Sequence, residues 1–232
     1  MENNKNKDNV DNNLQETVKL FTENSINYWI CHGTLLGIIR DKELIPWDHD
    51  VDLAVWDKDG LREKIKELML KNSYCLKEKY LIKDDLLTFL KTGGREVDIN
   101  FYKLKDNKEH KQMAYIEWFV PKNNFLKIID AMAKASLYNG SFKFFINKIA
   151  FLEKVFLLLK KFLIKKNIFF KSIGYTQPYS LLDQFKKINF QGIEVVVPYR
   201  SEEYLAWVYG NDWKKPKESY NWIKDSPSTK EV

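Results

Sequence analysis

The chain has few cysteines, prolines and glycines. It contains 2 cysteines, 6 prolines and 9 glycines among 232 residues, whereas small extracellular proteins that are cross-linked by disulfides are rich in cysteine. Cys31 and Cys75 stand in separate apolar surroundings, which excludes a disulfide framework and a CxxC metal site. We expect both to be core thiols in a reducing compartment.

Long apolar runs are absent as well. No window reaches about 18 uncharged apolar residues, so no segment is expected to span a bilayer. The N-terminal residues are rich in asparagine, lysine and aspartate and contain no secretory signal. We therefore predict a cytoplasmic protein. A hydrophobic content of 44% is enough to bury a core, and we predict one domain covering residues 1–232.

Acidic residues are concentrated in one short stretch. Asp48, Asp50 and Asp52 fall within five residues and alternate with Val51 and Leu53. A strand would place Asp50 and Asp52 on one face and the apolar residues on the other. Two such charges about 5 Å apart repel by roughly 3 kcal/mol, which favours a bound cation. Hard oxygen ligands indicate Mg2+ or Mn2+ rather than zinc.

A further aspartate completes this predicted metal site. Asp98 lies between Val97 and Ile99 and is expected on a neighbouring strand. We predict that Asp50, Asp52 and Asp98 are the catalytic and metal-binding residues. Asp48 is either another ligand or the start of an Asx-type turn.

Two blocks of sequence resemble the LicD/fukutin-related family of the polymerase-beta-like nucleotidyltransferase superfamily. The first contains His32-Gly33-Thr34-Leu35-Leu36-Gly37, Arg40 and Ile45-Pro46-Trp47-Asp48-His49-Asp50-Val51-Asp52. The second contains Gly192–Pro198, Glu203-Tyr204-Leu205 and Tyr209–Trp213. Together with the strand of Asp98 they cover about half of the chain, and residues from about 122 to 180 carry no such resemblance.

The resemblance implies an enzyme that transfers a phospho-alcohol group from a CDP-linked donor to a glycan hydroxyl, with release of CMP. The group is phosphocholine or a ribitol or glycerol phosphate, and the acceptor is a surface glycan that can be lipid-linked. Asp50 and Asp52 would hold the metal on the donor pyrophosphate, while Asp98 accepts the acceptor proton. The same acids would also serve transfer of a nucleoside monophosphate from an NTP. A non-catalytic membrane-binding module is the third alternative, and no nucleic-acid motif is present.

Several residues are candidates for holding the donor phosphates. Gly33 and Thr34 open a predicted helix whose free amides attract anions, although Gly33 could instead end a strand and Thr34 cap the helix. Arg40 would neutralise phosphate or pair with Asp41 or Glu43 at the surface. The remaining candidates near the acid cluster are Asp48, Lys91, Arg95, His32, His49 and Trp47.

Periodicity predicts an α+β fold, a mixed sheet flanked by helices. The resemblance implies that this fold is nucleotidyltransferase-like. Helices are expected at Asp11–Asn24, Thr34–Arg40, Leu61–Leu70 and Ser201–Tyr209. Strands are expected at Tyr28–Cys31, Val51–Trp56, Tyr74–Lys79, Leu86–Lys91, Glu96–Leu104, Tyr115–Val120, Phe185–Phe190 and Ile193–Val197. Pro216–Val232 is expected to be a surface tail.

Residues 122–180 are predicted to form a basic amphipathic helical insertion. Lys122 to Lys171 hold eleven lysines against two acids, a net charge of +9 in a chain whose total is +6. Apolar and basic residues interleave over 142–171, which fits a helix lying on an anionic membrane surface at the inner face of the cell membrane. The alternative is a helix packed on the domain with its lysines in water.

Overall fold

The predicted α+β fold is confirmed by a computed structural model, which describes residues 10–77, 85–133, 152–166 and 170–231. Its main sheet is mixed and follows the order β1-β2-β5-β6-β8-β11, with β4 joining β5 to β3 and β7 joining β8. These strands are β1 Trp29–Ile30, β2 Asp50–Trp56, β3 Cys75–Leu76, β4 Leu86–Leu90, β5 Glu96–Asn107, β6 Lys111–Tyr115, β7 Trp118–Pro121, β8 Phe170–Pro178 and β11 Thr229–Glu231. A separate hairpin pairs β9 Phe185–Phe190 with β10 Ile193–Pro198.

Helices flank the sheet. Those preceding the basic region are α1 Asn12–Glu23, α2 His32–Arg40 and α3 Leu61–Lys71. The others are α4 Asn124–Met132, α5 Glu153–Lys165, α6 Ser201–Tyr209 and the short α7 Trp222–Asp225. Asp11 caps α1, because its side chain accepts hydrogen bonds from the amides of Asn13 and Leu14. No helix among the described residues is long and apolar enough to cross a membrane.

Strand β5 organises the sheet because it pairs with three other strands. Its first half runs parallel to β2 and antiparallel to β4, and its second half pairs antiparallel with β6. Gly93, at a positive φ of 98°, lies in the turn between β4 and β5, which confirms the predicted hairpin. The apolar faces of β2 and β5 are fully buried at Val51, Leu53, Val97 and Ile99.

Three expectations about the secondary structure are wrong. The helical insertion does not extend to residue 180, because Phe170–Pro178 forms β8 at the centre of the C-terminal part of the sheet. The expected surface tail contributes α7 and β11, and β11 pairs with β8. The region predicted as one strand over 115–120 holds parts of two, β6 and β7.

Smaller differences affect single residues. Cys31 is buried as expected, but Cys75 is exposed on β3. The Ser201 hydroxyl, at the first residue of α6, donates to the Pro198 carbonyl at 2.5 Å. Parts of the predicted strand 74–79 and of the basic segment 142–171 lie outside the described residues.

Candidate functional site

The acidic residues come together because β2 and β5 are parallel and in register. Asp52 is paired with Asp98, and Asp50 is paired with Glu96. Neighbouring strands are separated by about 4.8 Å, so the two paired aspartates extend side by side from one face of the sheet. Strand β2 alternates half-buried acids with buried apolar residues, as the sequence predicts.

Asp48 joins this group from the loop that precedes β2. Its side chain lies within hydrogen-bonding distance of Asp50. It also lies so close to Gly33 that a Cβ added at Gly33 would collide with the Asp48 carboxylate. Asp48 is therefore part of the acid cluster, and the absence of a side chain at Gly33 is what makes room for it.

The acids shift the pKa values of one another. Burial first, and then repulsion by Asp48, raises the pKa of Asp50 to about 7. The pKa of Asp52 is raised well above its ordinary value by burial and by the charges of Asp50, Asp98 and Asp48. Such a cluster carries unfavourable charge at neutral pH unless a proton or a cation compensates it.

The donor set fits a hard divalent cation, since it consists of carboxylate oxygens on rigid strands. One oxygen of Asp98 accepts a hydrogen bond from the Thr88 hydroxyl at 2.6 Å, which orients the carboxylate. Within the described part of the chain, however, no three histidine, cysteine or acidic side chains are already arranged as a formed metal site. The metal assignment thus stays a prediction.

Helix α2 begins beside the acid cluster. No side chain caps its N-terminus among the described residues, and His32 and Gly33 at this end of the helix line the cavity. Thr34 does not act as the cap. Its hydroxyl accepts a hydrogen bond from the Asp52 amide at 2.7 Å and so ties α2 to β2.

A cavity of about 950 Å³ opens over the acids. Its lining includes the acids Asp48, Asp50, Asp52 and Asp98 and the basic residues Lys122, Lys127, Lys160 and Lys171. Aromatic side chains also line it, among them Trp118, Tyr175, Tyr209, Tyr220 and Trp222. A space lined by both acids and lysines suits a ligand that carries phosphate groups beside a bound cation.

A second, smaller cavity of about 280 Å³ adjoins the same acids. Both cavities are lined by Gly33, Asp48, Tyr209 and Tyr220. Trp47 and Arg40 lie in the smaller one. The Arg40 guanidinium makes two hydrogen bonds to Asp41, at 2.7 and 2.8 Å, and its side chain is 7% exposed. Arg40 is therefore buried in an ion pair beside the site.

Two predicted phosphate ligands do not line either cavity. The Lys91 ammonium contacts the Glu16 carboxylate at 2.7 Å and holds α1 to the end of β4. The Arg95 guanidinium donates to the Ile45 carbonyl at 3.0 Å. Both side chains therefore hold the helix and the loop around the site in place and do not line its interior.

The two histidines of the motif differ in their surroundings. His32 is buried, stacks on Tyr175 with ring centroids 4.5 Å apart, and contacts the Tyr102 hydroxyl at 3.2 Å. Burial lowers the pKa of His32 to about 3, so it is neutral at physiological pH. His49 is exposed beside the acids.

Sequence reasoning missed the cavity residues of the C-terminal half. Trp118 lies on β7, Lys122 follows that strand and Lys127 lies on α4, where no motif marks them. Tyr220 and Trp222 belong to the segment expected to be a tail. The only signal was the density of lysines after residue 121, which sequence reasoning assigned to a membrane or to solvent.

Comparisons with known proteins find relatives that match part of this chain. Two uncharacterised rickettsial proteins are similar: one of Rickettsia typhi is 32% identical over 99 residues, 42% of this chain and 30% of that protein, and one of Rickettsia prowazekii is 44% identical over 48 residues, 21% and 18%. Ribitol 5-phosphate transferase FKRP of human and of mouse is 47% identical over 34 residues, 15% of this chain and 7% of each relative. The matches thus span less than a third of these relatives.

A family model matches a longer segment. The model of the LicD/FKTN/FKRP nucleotidyltransferase domain covers residues 25–138, which is close to half of the chain. This segment contains the start of α2, the acids of β2 and their partner Asp98 on β5. Residues 25–138 therefore form a domain of the LicD family, as the sequence motifs predict.

Proposed function

We propose that this protein is a metal-dependent phosphotransferase that moves a phospho-alcohol group from a CDP-linked donor to a glycan hydroxyl. The transferred group is of the phosphocholine, ribitol phosphate or glycerol phosphate type, and CMP is the second product. The observation that carries the proposal is the pairing of Asp52 with Asp98 in register, with Asp50 two residues along the same strand. Family membership and the similarity to a ribitol 5-phosphate transferase support the reaction class.

Asp50, Asp52 and Asp98 are the proposed ligands of Mg2+ or Mn2+. Bound there, the cation would neutralise negative charge on the donor pyrophosphate. In this reaction the acceptor hydroxyl oxygen forms a bond to the phosphorus of the alcohol phosphate, and the bond from that phosphorus to CMP breaks. Asp98 accepts the hydroxyl proton. The hydrogen bond from the Thr88 hydroxyl to one Asp98 oxygen orients the carboxylate for this role.

The remaining cavity residues are suited to positioning the donor. The uncapped start of α2 at Gly33 offers amides to phosphate oxygens. Lys122 and Lys127 in the lining supply positive charge, and Trp118 and Trp222 offer ring faces for a base or a sugar. Because phosphoryl transfer depends mostly on positioning and charge neutralisation, these groups are sufficient for the chemistry.

The experiment is product analysis with purified protein and Mg2+. The protein is incubated with CDP-choline, CDP-ribitol, CDP-glycerol, CTP or ATP, with and without a sugar acceptor, and CMP and pyrophosphate are separated by anion-exchange chromatography. We expect metal-dependent CMP release from a CDP-alcohol only. Pyrophosphate release from CTP or ATP would replace the proposal with nucleotidyl transfer, and the absence of both products would favour a binding module.

Thermal shift measurements identify the donor independently of turnover. A ligand at 100 times its dissociation constant stabilises the folded state by about 2.7 kcal/mol, which corresponds to about 5 to 11 °C in Tm for a domain of this size. We expect the preferred CDP-alcohol to raise Tm only when Mg2+ is present. Asp52→Asn should abolish that shift.

A further inference from the structure

Helices α4 and α5 form a pair with a small core of its own. Leu126 and Ile129 of α4 pack against Leu163 and Ile164 of α5, apart from the main core of the domain. A buried ion pair between the Lys160 ammonium and the Asp130 carboxylate, 3.0 Å apart, joins the two helices beside the cavity. The orientation of both helices is thereby fixed.

The opposite side of this pair exposes large apolar side chains. Val155, Leu158, Leu159 and Phe162 recur at helical spacing on α5 and are 59%, 65%, 38% and 56% exposed. Phe125 and Ile128 of α4 are 67% and 38% exposed. We call the four residues of α5 the apolar face. Single exposed apolar residues are ordinary, but four on one stripe of a 13-residue helix mark an interaction surface.

Positive charge accompanies the apolar face. By helical periodicity, Lys154, Lys161 and Lys165 lie along one flank of the α5 stripe. The acid of this helix, Glu153, lies one turn before the buried Leu157 and thus on the buried side. An apolar stripe with a lysine flank is complementary to a bilayer with anionic head groups, since the apolar residues enter the acyl boundary and the lysines contact phosphates.

We propose that the apolar face docks this protein on an anionic lipid bilayer. The same helices line the large cavity on their other side, through Lys127, Asp130, Ala131 and Lys160. Docking would hold that cavity close to the head groups.

Vesicle flotation tests the docking. Purified protein is mixed with vesicles of phosphatidylcholine alone or with 30% phosphatidylglycerol, a composition chosen for the test, and the bound fraction is measured at low and at physiological salt. We expect binding to the anionic vesicles. Leu158→Glu with Phe162→Glu should reduce it by at least about tenfold, because two charges would have to enter the apolar boundary. The matched control is Leu70→Glu with Leu104→Glu, two exposed apolar residues outside the face.

The lysine flank is tested separately. Each lysine near an anionic surface contributes about 1 kcal/mol, so Lys154, Lys161 and Lys165 changed together to Gln should weaken binding roughly a hundredfold. The control changes the exposed Lys66, Lys71 and Lys108 to Gln. Equal weakening by both triple variants would mean that only net charge matters and would overturn the assignment to this face.

Two further outcomes would overturn the docking proposal. One is wild-type protein that ignores both kinds of vesicle. The other is a wild-type dimer that becomes monomeric in the Leu158→Glu, Phe162→Glu variant, since the face would then be a contact between copies of this chain. CMP release from the CDP-alcohol, assayed without vesicles, should be unchanged in that variant. Loss of vesicle binding with intact CMP release separates a failure of docking from a failure of the proposed reaction.

Discussion

Asp52 of β2 lies beside Asp98 of β5, in register across a parallel strand pair. This pairing keeps two half-buried carboxylates on one face of the sheet, and Asp50 and Asp48 add two more at its edge. The raised pKa values of Asp50 and Asp52 reflect their burial and this repulsion. A fold that keeps four acids together bears a cost in stability that a bound cation would remove.

Removing one of these charges should therefore separate activity from stability. We expect Asp52→Asn to lower CMP release by at least about a hundredfold, because the charge that holds the cation is lost. Without metal, its free energy of unfolding should equal or exceed that of wild type. The measurement pairs turnover with urea unfolding in EDTA.

The matched control for that variant is Asp57→Asn. Asp57 follows β2 and contacts Arg62 at 3.8 Å, outside both cavities. Its activity should stay near the wild-type level. An Asp52→Asn protein that melts well below wild type in EDTA would contradict the account of mutual repulsion.

Gly33 and Gly37 should respond differently to alanine. A Cβ at Gly33 would meet the Asp48 carboxylate, which is the mobile end of a side chain, whereas a Cβ at Gly37 would meet backbone atoms of Glu43 and Ile45. We expect Gly33→Ala to fold normally and to lose donor affinity as Asp48 is displaced. Gly37→Ala should lower Tm instead.

Thermal unfolding and CDP-alcohol titration of both variants test this contrast. Normal donor binding by Gly33→Ala would show that its close approach to Asp48 has no part in ligand binding. An unchanged Tm for Gly37→Ala would mean that the loop over 43–45 moves away readily.

The burial of His32 predicts that the free energy of unfolding depends on pH in a specific way. Its pKa is lowered by burial from 6.5 to about 3, so between these values the unfolded chain binds a proton that the folded chain does not. Stability is therefore lost as the pH falls through this window, by about 2 kcal/mol at pH 5 from this group alone. We expect His32→Asn, which tolerates the positive φ of 45° at this position, to lack that component.

The measurement is urea unfolding of wild type and His32→Asn at pH 7 and pH 5. Other groups titrate in both proteins, so the difference between the two pH dependences isolates His32. Parallel curves would mean that the histidine is protonated in the folded state as well.

How much of the site could be predicted from sequence depended on how local the signal was. The alternation of Asp50 and Asp52 with apolar residues is a pattern within one strand, and the turn at Gly93 identifies the hairpin that carries Asp98. Both features are set by a few neighbouring residues. The sequence predicts Asp98 on a neighbouring strand, but the parallel direction and register of β2 and β5 were not predicted, since no local pattern specifies them.

The C-terminal part of the site depends on contacts distant in sequence. Strand β11 has three residues and gains its place by pairing with β8, more than fifty positions earlier. Strand β8 itself follows a lysine-rich helix and carries no clear alternation of its own. Trp222 and Tyr220 could not be assigned to the cavity by periodicity, because their position follows from this late pairing.

Variants of Lys91 and Lys127 distinguish a lysine that stabilises the fold from one that binds the substrate. Lys91 pairs with Glu16 away from both cavities, whereas Lys127 lines the large cavity. We expect Lys91→Gln to cost about 1 kcal/mol of stability or less and to leave the KM for the CDP-alcohol unchanged. Lys127→Gln should raise that KM about fivefold with little change in stability, since it removes one charge facing the phosphates. Steady-state kinetics at two salt concentrations provide the measurement, because the effect of Lys127 should shrink as salt screens it.

If Lys91→Gln alone raised KM, the sequence-based assignment of Lys91 to the phosphate site would be right and the ion pair with Glu16 would open when the donor binds.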